Sequence, residues 1–136
     1  MRKRISESTR RLVAQRADFC CEYCLLHENY LFLAFEIDHI ISLKHGGDNG
    51  LNNLAYACPH CNQHKGSDIA TLVESQEDIT LVFNPRKQKW REHFNTDNGE
   101  IIPITKVGLA TLKLLRFNEP DLVILRRTLA RAGLYP

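Results

Sequence analysis

Apolar residues recur at helical spacing near both ends of the chain, and the middle is marked by short β-like runs separated by turn formers. Between Ile5 and Ala17 polar residues surround Leu12 and Val13, and Ser6 or Ser8 can accept an early amide hydrogen. The pattern predicts an amphipathic helix with Leu12 and Val13 turned inward. Aromatic and branched residues then crowd "LFLAFEIDHI", residues 31–40, which reads as a strand. The adjoining "KHGGDNGLNN" is made of turn formers, so "LAYAC" becomes the returning strand of a hairpin with an unusually long loop. The segment "NQHKGSDIATLVES" begins as a helix but contains Gly66, where it either ends or breaks before continuing over "SDIATLV".

Further on, "ITLVFNP" reads as a strand stopped by Pro85 and "IIPIT" as another, with "NTDNGE" as a turn between their neighbourhoods. Trp90 and Phe94, four residues apart in "KWREHF", would share a helical face and pack against the core. Thr105 can cap a helix whose Val107, Ala110, Leu112, Leu114, Leu115 and Phe117 are core candidates. A last helix from Glu119 or Pro120 turns Leu122, Val123, Leu125 and Leu129 inward and ends at Gly133. Its Arg126, Arg127 and Arg131 lie near the C-terminal end, where cations complement the helix dipole.

Composition bounds the class. A length of 136 residues suits one domain, and 43% hydrophobic with 25% charged residues argues against wholesale disorder. The apolar runs fall short of the ~20 residues a bilayer span needs, and the basic start is followed only by "LVA", too short for a secretory signal. The expectation is a cytoplasmic protein without a membrane partner. The net charge of +2 conceals segregation: Arg2, Lys3, Arg4, Arg10, Arg11 and Arg16 crowd the start, Arg86, Lys87, Lys89 and Arg91 form "RKQKWR", and the acidic Asp18, Glu22, Glu28, Glu36, Asp38 and Asp48 lie between. An acidic centre flanked by basic segments suits a cation site presented to a polyanion, and solvated helix faces would give the same pattern.

The cysteines sharpen the picture. Four of the five form two pairs, Cys21-x-x-Cys24 and Cys58-x-x-Cys61, separated by 33 residues. Two-residue spacers let both thiolates of a pair face one ion, and two pairs complete the tetrahedron preferred by structural Zn²⁺. Cys20 is left over, and His27 and His60 beside the pairs are the substitute ligands to weigh. Between the pairs, Asp38 and His39 adjoin a glycine turn and several asparagines. A carboxylate and a second oxygen donor can hold a hard cation, an imidazole can act as general base, and an asparagine can fix that imidazole. Neighbours on a regular strand face opposite sides, so Asp38 and His39 can address one phosphate only if the strand ends or bulges there. Glu36 shares the parity of Asp38 and reads as exposed or capping.

In that order, Cys21-x-x-Cys24, "EIDHI", the "GG" turn, "NNL" and "CPHCNQHKG" resemble the HNH endonucleases over residues 18–68. The resemblance implies an α+β chain: a ββα-metal core braced by a zinc site, with an N-terminal helix (1–17) and a C-terminal strand-plus-helices extension (79–136), all in one domain over 1–136. It implies a metal-dependent endonuclease acting on DNA. His39 would be the general base and Asp38 a ligand of a catalytic Mg²⁺ or Mn²⁺. Asn53 would be the middle asparagine that orients the His39 loop, with Asn52 one register away. Asn62 would be the third position, where many members have histidine. His64, two residues on, is the alternative or additional ligand. Structural Zn²⁺ would sit on Cys21, Cys24, Cys58 and Cys61. Lys65, Arg86, Lys87, Lys89 and Arg91 are candidate phosphate contacts, and His45 lies on the loop over the site. The other readings are a zinc-stabilised nucleic-acid-binding module without cleavage and a protein-interaction zinc domain. With no separate reading domain in view, sequence specificity is expected to be low unless a protein partner supplies it.

Overall fold

The computed structural model describes residues 5–136; Arg2, Lys3 and Arg4 of the basic N-terminal segment lie outside the described residues. Helix α1 (Glu7–Arg16) starts where Ser6 accepts the amide of Thr9. It meets the rest of the protein through Val13 and Ala14, both buried, whereas Leu12 is 52% exposed. The expected inward pair is thus shifted by one residue on a helix that packs against the β2 strand (Leu54–Ala57).

Strand β1 (Glu36–His39) pairs antiparallel with β2, with Glu36 opposite Ala57 and His39 opposite Leu54. The strand expected from Leu31 onward begins only at Glu36. Its partner ends at Ala57, since Cys58 turns the chain into α2 (Pro59–Lys65), so Phe32 and Leu33 find no strand to pair with and stand exposed at 108% and 70%. Helix α2 stops before Gly66, which resolves the two readings of that segment. Beyond the stop the chain forms a strand, β3 (Ala70–Leu72), paired with β4 (Ile79–Leu81).

Another hairpin joins β5 (Phe94–Asp97) to β6 (Glu100–Pro103) through Asn98 and Gly99, both at positive φ, the conformation a two-residue hairpin turn demands. "KWREHF" is therefore a single turn of 3₁₀ helix (Trp90–Glu92) leading into β5, and the expected helix there does not form. Trp90 and Phe94 still touch, with ring centroids 4.8 Å apart. Helix α3 (Lys106–Leu115) is capped by Thr105, whose hydroxyl accepts from Gly108, and α4 (Pro120–Arg131) comes last.

One buried cluster runs through both halves, from Val13, Tyr23, Leu26 and Leu54 to Phe83, Phe94, Leu115, Phe117 and Tyr135. The C-terminal half also clasps the first cysteine pair by polar contacts: Trp90 Nε1 donates to the Tyr23 carbonyl at 2.8 Å, and Tyr135 Oη donates to the Cys24 carbonyl at 2.7 Å. Arg126 departs from the sequence expectation. Its guanidinium is fully buried and donates to the carbonyls of Gly99 and Phe117 at 2.7 Å and to Asn118 Oδ1 at 3.0 Å, fastening α4 to the β5–β6 turn and the end of α3. Among the described residues no helix is long and apolar enough to cross a membrane.

Candidate functional site

Two chemical centres adjoin the β1–β2 hairpin. The first is the thiol cluster. The sulfurs of Cys21, Cys24, Cys58 and Cys61 all lie within 4.8 Å of one another, and all four residues are buried. Cys24 Sγ and Cys58 Sγ are 3.7 Å apart. Tetrahedral zinc with Zn–S bonds of about 2.3 Å requires sulfur–sulfur separations of about 3.8 Å, so the donor set fits the ion. Local backbone builds each half: the amide of Cys24 donates to Cys21 Sγ and that of Cys61 to Cys58 Sγ, both at 3.4 Å, which favours thiolate. Hydrogen bonds from Cys21 and its neighbours hold Cys58 far below the ordinary thiol range, whereas burial pushes Cys61 up.

The neighbouring candidates stay outside this cluster. His27 Nδ1 accepts the amide of Asn29, His60 Nε2 lies 2.9 Å from the Arg116 carbonyl, and Cys20 is half-buried apart from the four.

The second centre is a cleft of about 230 Å³ lined by Ile37, Asp38, His39, Ser42, Leu43, Asn62, Gly66 and Ser67. Strand β1 ends at His39, so Asp38 and His39 border the same cleft despite their opposite parity. The loop between the strands is gathered around Asn53. Its Oδ1 accepts the Ile41 amide at 2.9 Å, and its Nδ2 donates to the carbonyls of Ile41 and Asp48, each at 2.8 Å. Gly47 passes so close that a Cβ there would fall 1.7 Å from the Ile41 carbonyl oxygen, which accounts for the glycine turn.

His39 is half-buried, and its Nε2 lies 2.7 Å from Asn49 Oδ1. An amide oxygen only accepts, so in this pair Nε2 is the donor. Asn49 was legible only as a turn residue.

Asp38 is 3% exposed, and its carboxylate accepts from Tyr23 Oη at 2.6 Å and from Lys65 Nζ at 3.1 Å. Burial raises its pKa, against the opposing pull of Lys65 and Tyr23. Tyr23 was legible only as spacer between two cysteines, although a buried tyrosine hydroxyl needs a partner and could have been matched to a buried carboxylate.

The structure places several of the expected contact residues away from solvent. The Lys65 ammonium, expected near phosphate, is buried and donates to Asp38 and to the carbonyls of His39 and Ile40 at 3.0 and 3.1 Å. His64 does not join Asn62. Two residues along a helix turn a side chain by about 200°, and His64 faces His60, with Nδ1 2.8 Å from the His60 carbonyl, while Asn62 borders the cleft. Arg86 is withdrawn into an ion pair with Glu22, its pKa lowered to about 10 by burial. Lys87, Lys89 and Arg91 remain exposed, the last lying over the Trp90 ring. Arg16 donates to the carbonyls of Leu51 and Leu54, tying α1 to the end of the loop.

The donor set of the cleft suits a hard divalent cation: one carboxylate and one neutral amide oxygen, with no thiolate among its lining residues. Asp38 has about four acceptor positions, which its bonds to Tyr23 and Lys65 do not exhaust. No curated protein and no solved structure matches the chain. The family model described as HNH endonuclease matches residues 21–68, the segment that contains both cysteine pairs, the hairpin and α2. Over residues 21–68, about a third of its length, the chain is similar to the HNH endonucleases.

Proposed function

We propose that the protein is a metal-dependent endonuclease that hydrolyses DNA phosphodiester bonds. The observation that carries this reading is the convergence of Asp38, His39 and Asn62 on one cleft. His39, through its unprotonated nitrogen, would take a proton from water as that water attacks phosphorus; one P–O bond forms and another breaks. A divalent cation, Mg²⁺ or Mn²⁺, held by the Asp38 carboxylate and the Asn62 amide oxygen would stabilise charge on the phosphoryl oxygens. Asn53 would position the base indirectly, by pinning the loop that leaves His39. The four-thiol site, filled by Zn²⁺, would have a structural role. Lys87, Lys89 and Arg91 are the exposed cations of the basic segment that could contact phosphate. A partner protein would have to supply any strong sequence preference.

A second reading, a zinc-stabilised nucleic-acid-binding module without cleavage, is favoured by the double occupancy of Asp38 by Tyr23 and Lys65. Supercoiled plasmid distinguishes the two. With Mg²⁺ or Mn²⁺ the wild type should nick it, EDTA should prevent nicking, and His39→Ala should lower the rate by about 10²–10⁴-fold with the thermal midpoint unchanged. Plasmid binding without nicking by the wild type would favour the binding module.

A further inference from the structure

Lys65 is fully buried at the end of α2, and two of its N–H groups are spent on the carbonyls of His39 and Ile40, which fix the ammonium in one place. There Nζ lies 3.2 Å from Asp38 Oδ1 and 3.1 Å from Oδ2, so it stands across both oxygens of the carboxylate. Tyr23 Oη donates to Oδ2 alone, at 2.6 Å. Each cysteine pair anchors one of these two donors: Tyr23 lies between Cys21 and Cys24, and Lys65 ends the helix that Cys58 caps.

A carboxylate offers about four acceptor positions, two on each oxygen. The inner position of each oxygen points to the region between the two, and Lys65 already stands there. The outer position of Oδ2 belongs to Tyr23, which leaves the outer position of Oδ1. A large cation such as Ca²⁺ is readily held by both oxygens of a carboxylate at about 2.3–2.6 Å, which would put it on top of the ammonium. Mg²⁺ is smaller and octahedral, keeps several of its waters and takes carboxylates sparingly, and Mn²⁺ shares its preference for octahedral oxygen ligands.

We infer that Lys65 is a specificity-determining residue for the cation: standing across Asp38, it reduces the carboxylate to a one-oxygen ligand through Oδ1 and so selects Mg²⁺ and Mn²⁺ over Ca²⁺. Lys65 lies outside the cleft's lining and acts only through Asp38, and Tyr23 settles which oxygen is presented. The inference rests on the nuclease reading, which places a cation on Asp38, and deepens it by assigning the choice of ion to a buried residue.

The first test reads the carboxylate itself. Infrared difference spectra of the zinc-loaded wild type with isotope-labelled aspartate, recorded with and without Mn²⁺, should show the wide separation of carboxylate stretches that marks a one-oxygen ligand, in a band lost from Asp38→Asn. The narrow separation of a two-oxygen ligand, or no metal-dependent Asp38 band, would overturn the inference. The second test reads selectivity, by displacing bound Mn²⁺ with Ca²⁺ under electron paramagnetic resonance. Lys65→Met, which vacates the inner position, should raise the affinity for Ca²⁺ relative to Mn²⁺ by at least about tenfold. The ratio largely cancels the effect of the lost charge, which acts on both divalent ions. Tyr23→Phe, which frees only an outer position, should leave the ratio within about twofold. An unchanged ratio in folded Lys65→Met, or an equal rise in Tyr23→Phe, would also overturn the inference. Should circular dichroism show that Lys65→Met does not fold, the infrared result decides alone. Plasmid nicking by the wild type, run in parallel, separates the two levels. Nicking with a two-oxygen signature would remove the role of Lys65 and leave the nuclease. A one-oxygen signature without nicking would remove the nuclease reading while preserving the role of Lys65.

Discussion

The segment 21–68 and the segment 79–136 are stabilised by different means. In the first, thiols, a buried lysine–carboxylate pair and the three hydrogen bonds of the Asn53 side chain hold short elements: strands of four residues and a helix of seven. In the second, rings and aliphatic chains do the same work. Phe94 is fully buried, with Phe83 at 5.7 Å, Phe117 at 5.6 Å and Trp90 at 4.8 Å between ring centroids. The difference shows where reactive chemistry is tolerated. Polar and metal-ligating side chains can converge on a cleft because a thiol cluster and a neighbouring apolar half provide the stability that such residues do not.

The contrast is tested most severely at the thiol cluster. Structural zinc sites contribute about 10–16 kcal/mol in small peptides, comparable to the whole stability of a domain. Cys58→Ser is therefore expected to abolish the cooperative thermal transition and to lower the zinc content, read together by circular dichroism and metal analysis. The bonds from Trp90 to Tyr23 and from Tyr135 to Cys24 tie the halves together. The near-ultraviolet signal of Trp90 should thus be lost along with the helices, and its survival would show that the C-terminal half folds alone.

The apolar half should respond next. Phe94→Ala removes the centre of the ring cluster and is expected to cost about 3–5 kcal/mol in denaturant unfolding, with zinc still bound. Asn53→Ala comes third. It leaves the Ile41 amide and the Ile41 and Asp48 carbonyls without their partner, a loss of about 1–3 kcal/mol, and if Asn53 positions His39, nicking should fall by more than the loss of folded protein explains. Smallest of all is Phe32→Ser. Despite its hydrophobicity Phe32 lies outside the core, and the change should stay within about 0.5 kcal/mol by the same unfolding measurement.

Local signals were readable wherever the backbone itself dictates the answer. The Thr105 cap, the long-looped hairpin and the final helix arise from side chains acting on their own neighbourhood, and the choices left open between Ser6 and Ser8 and between a stop and a break at Gly66 fall to Ser6 and to the stop. Errors came where a distant partner decides. "LFLAF" has the composition of a strand, but no edge is available to pair with it. "SDIATLV" became a strand because Ile79–Leu81 returns beside it. Leu12 is exposed because α1 turns its Val13 and Ala14 face inward.

For the candidate site the division is similar. The cysteine pairs, the Asp-His pair and the asparagines could be read directly from the chain, because ligand spacing and residue type are local properties. Their partners came from packing alone: Tyr23 and Lys65 meet Asp38, Asn49 meets His39, and Arg126 lies buried beneath the β5–β6 turn. A charged side chain carries the same letter whether it faces solvent or a carbonyl cage. What separates the two is the desolvation and hydrogen bonding supplied by residues far away in sequence, and these exist only once the chain has packed.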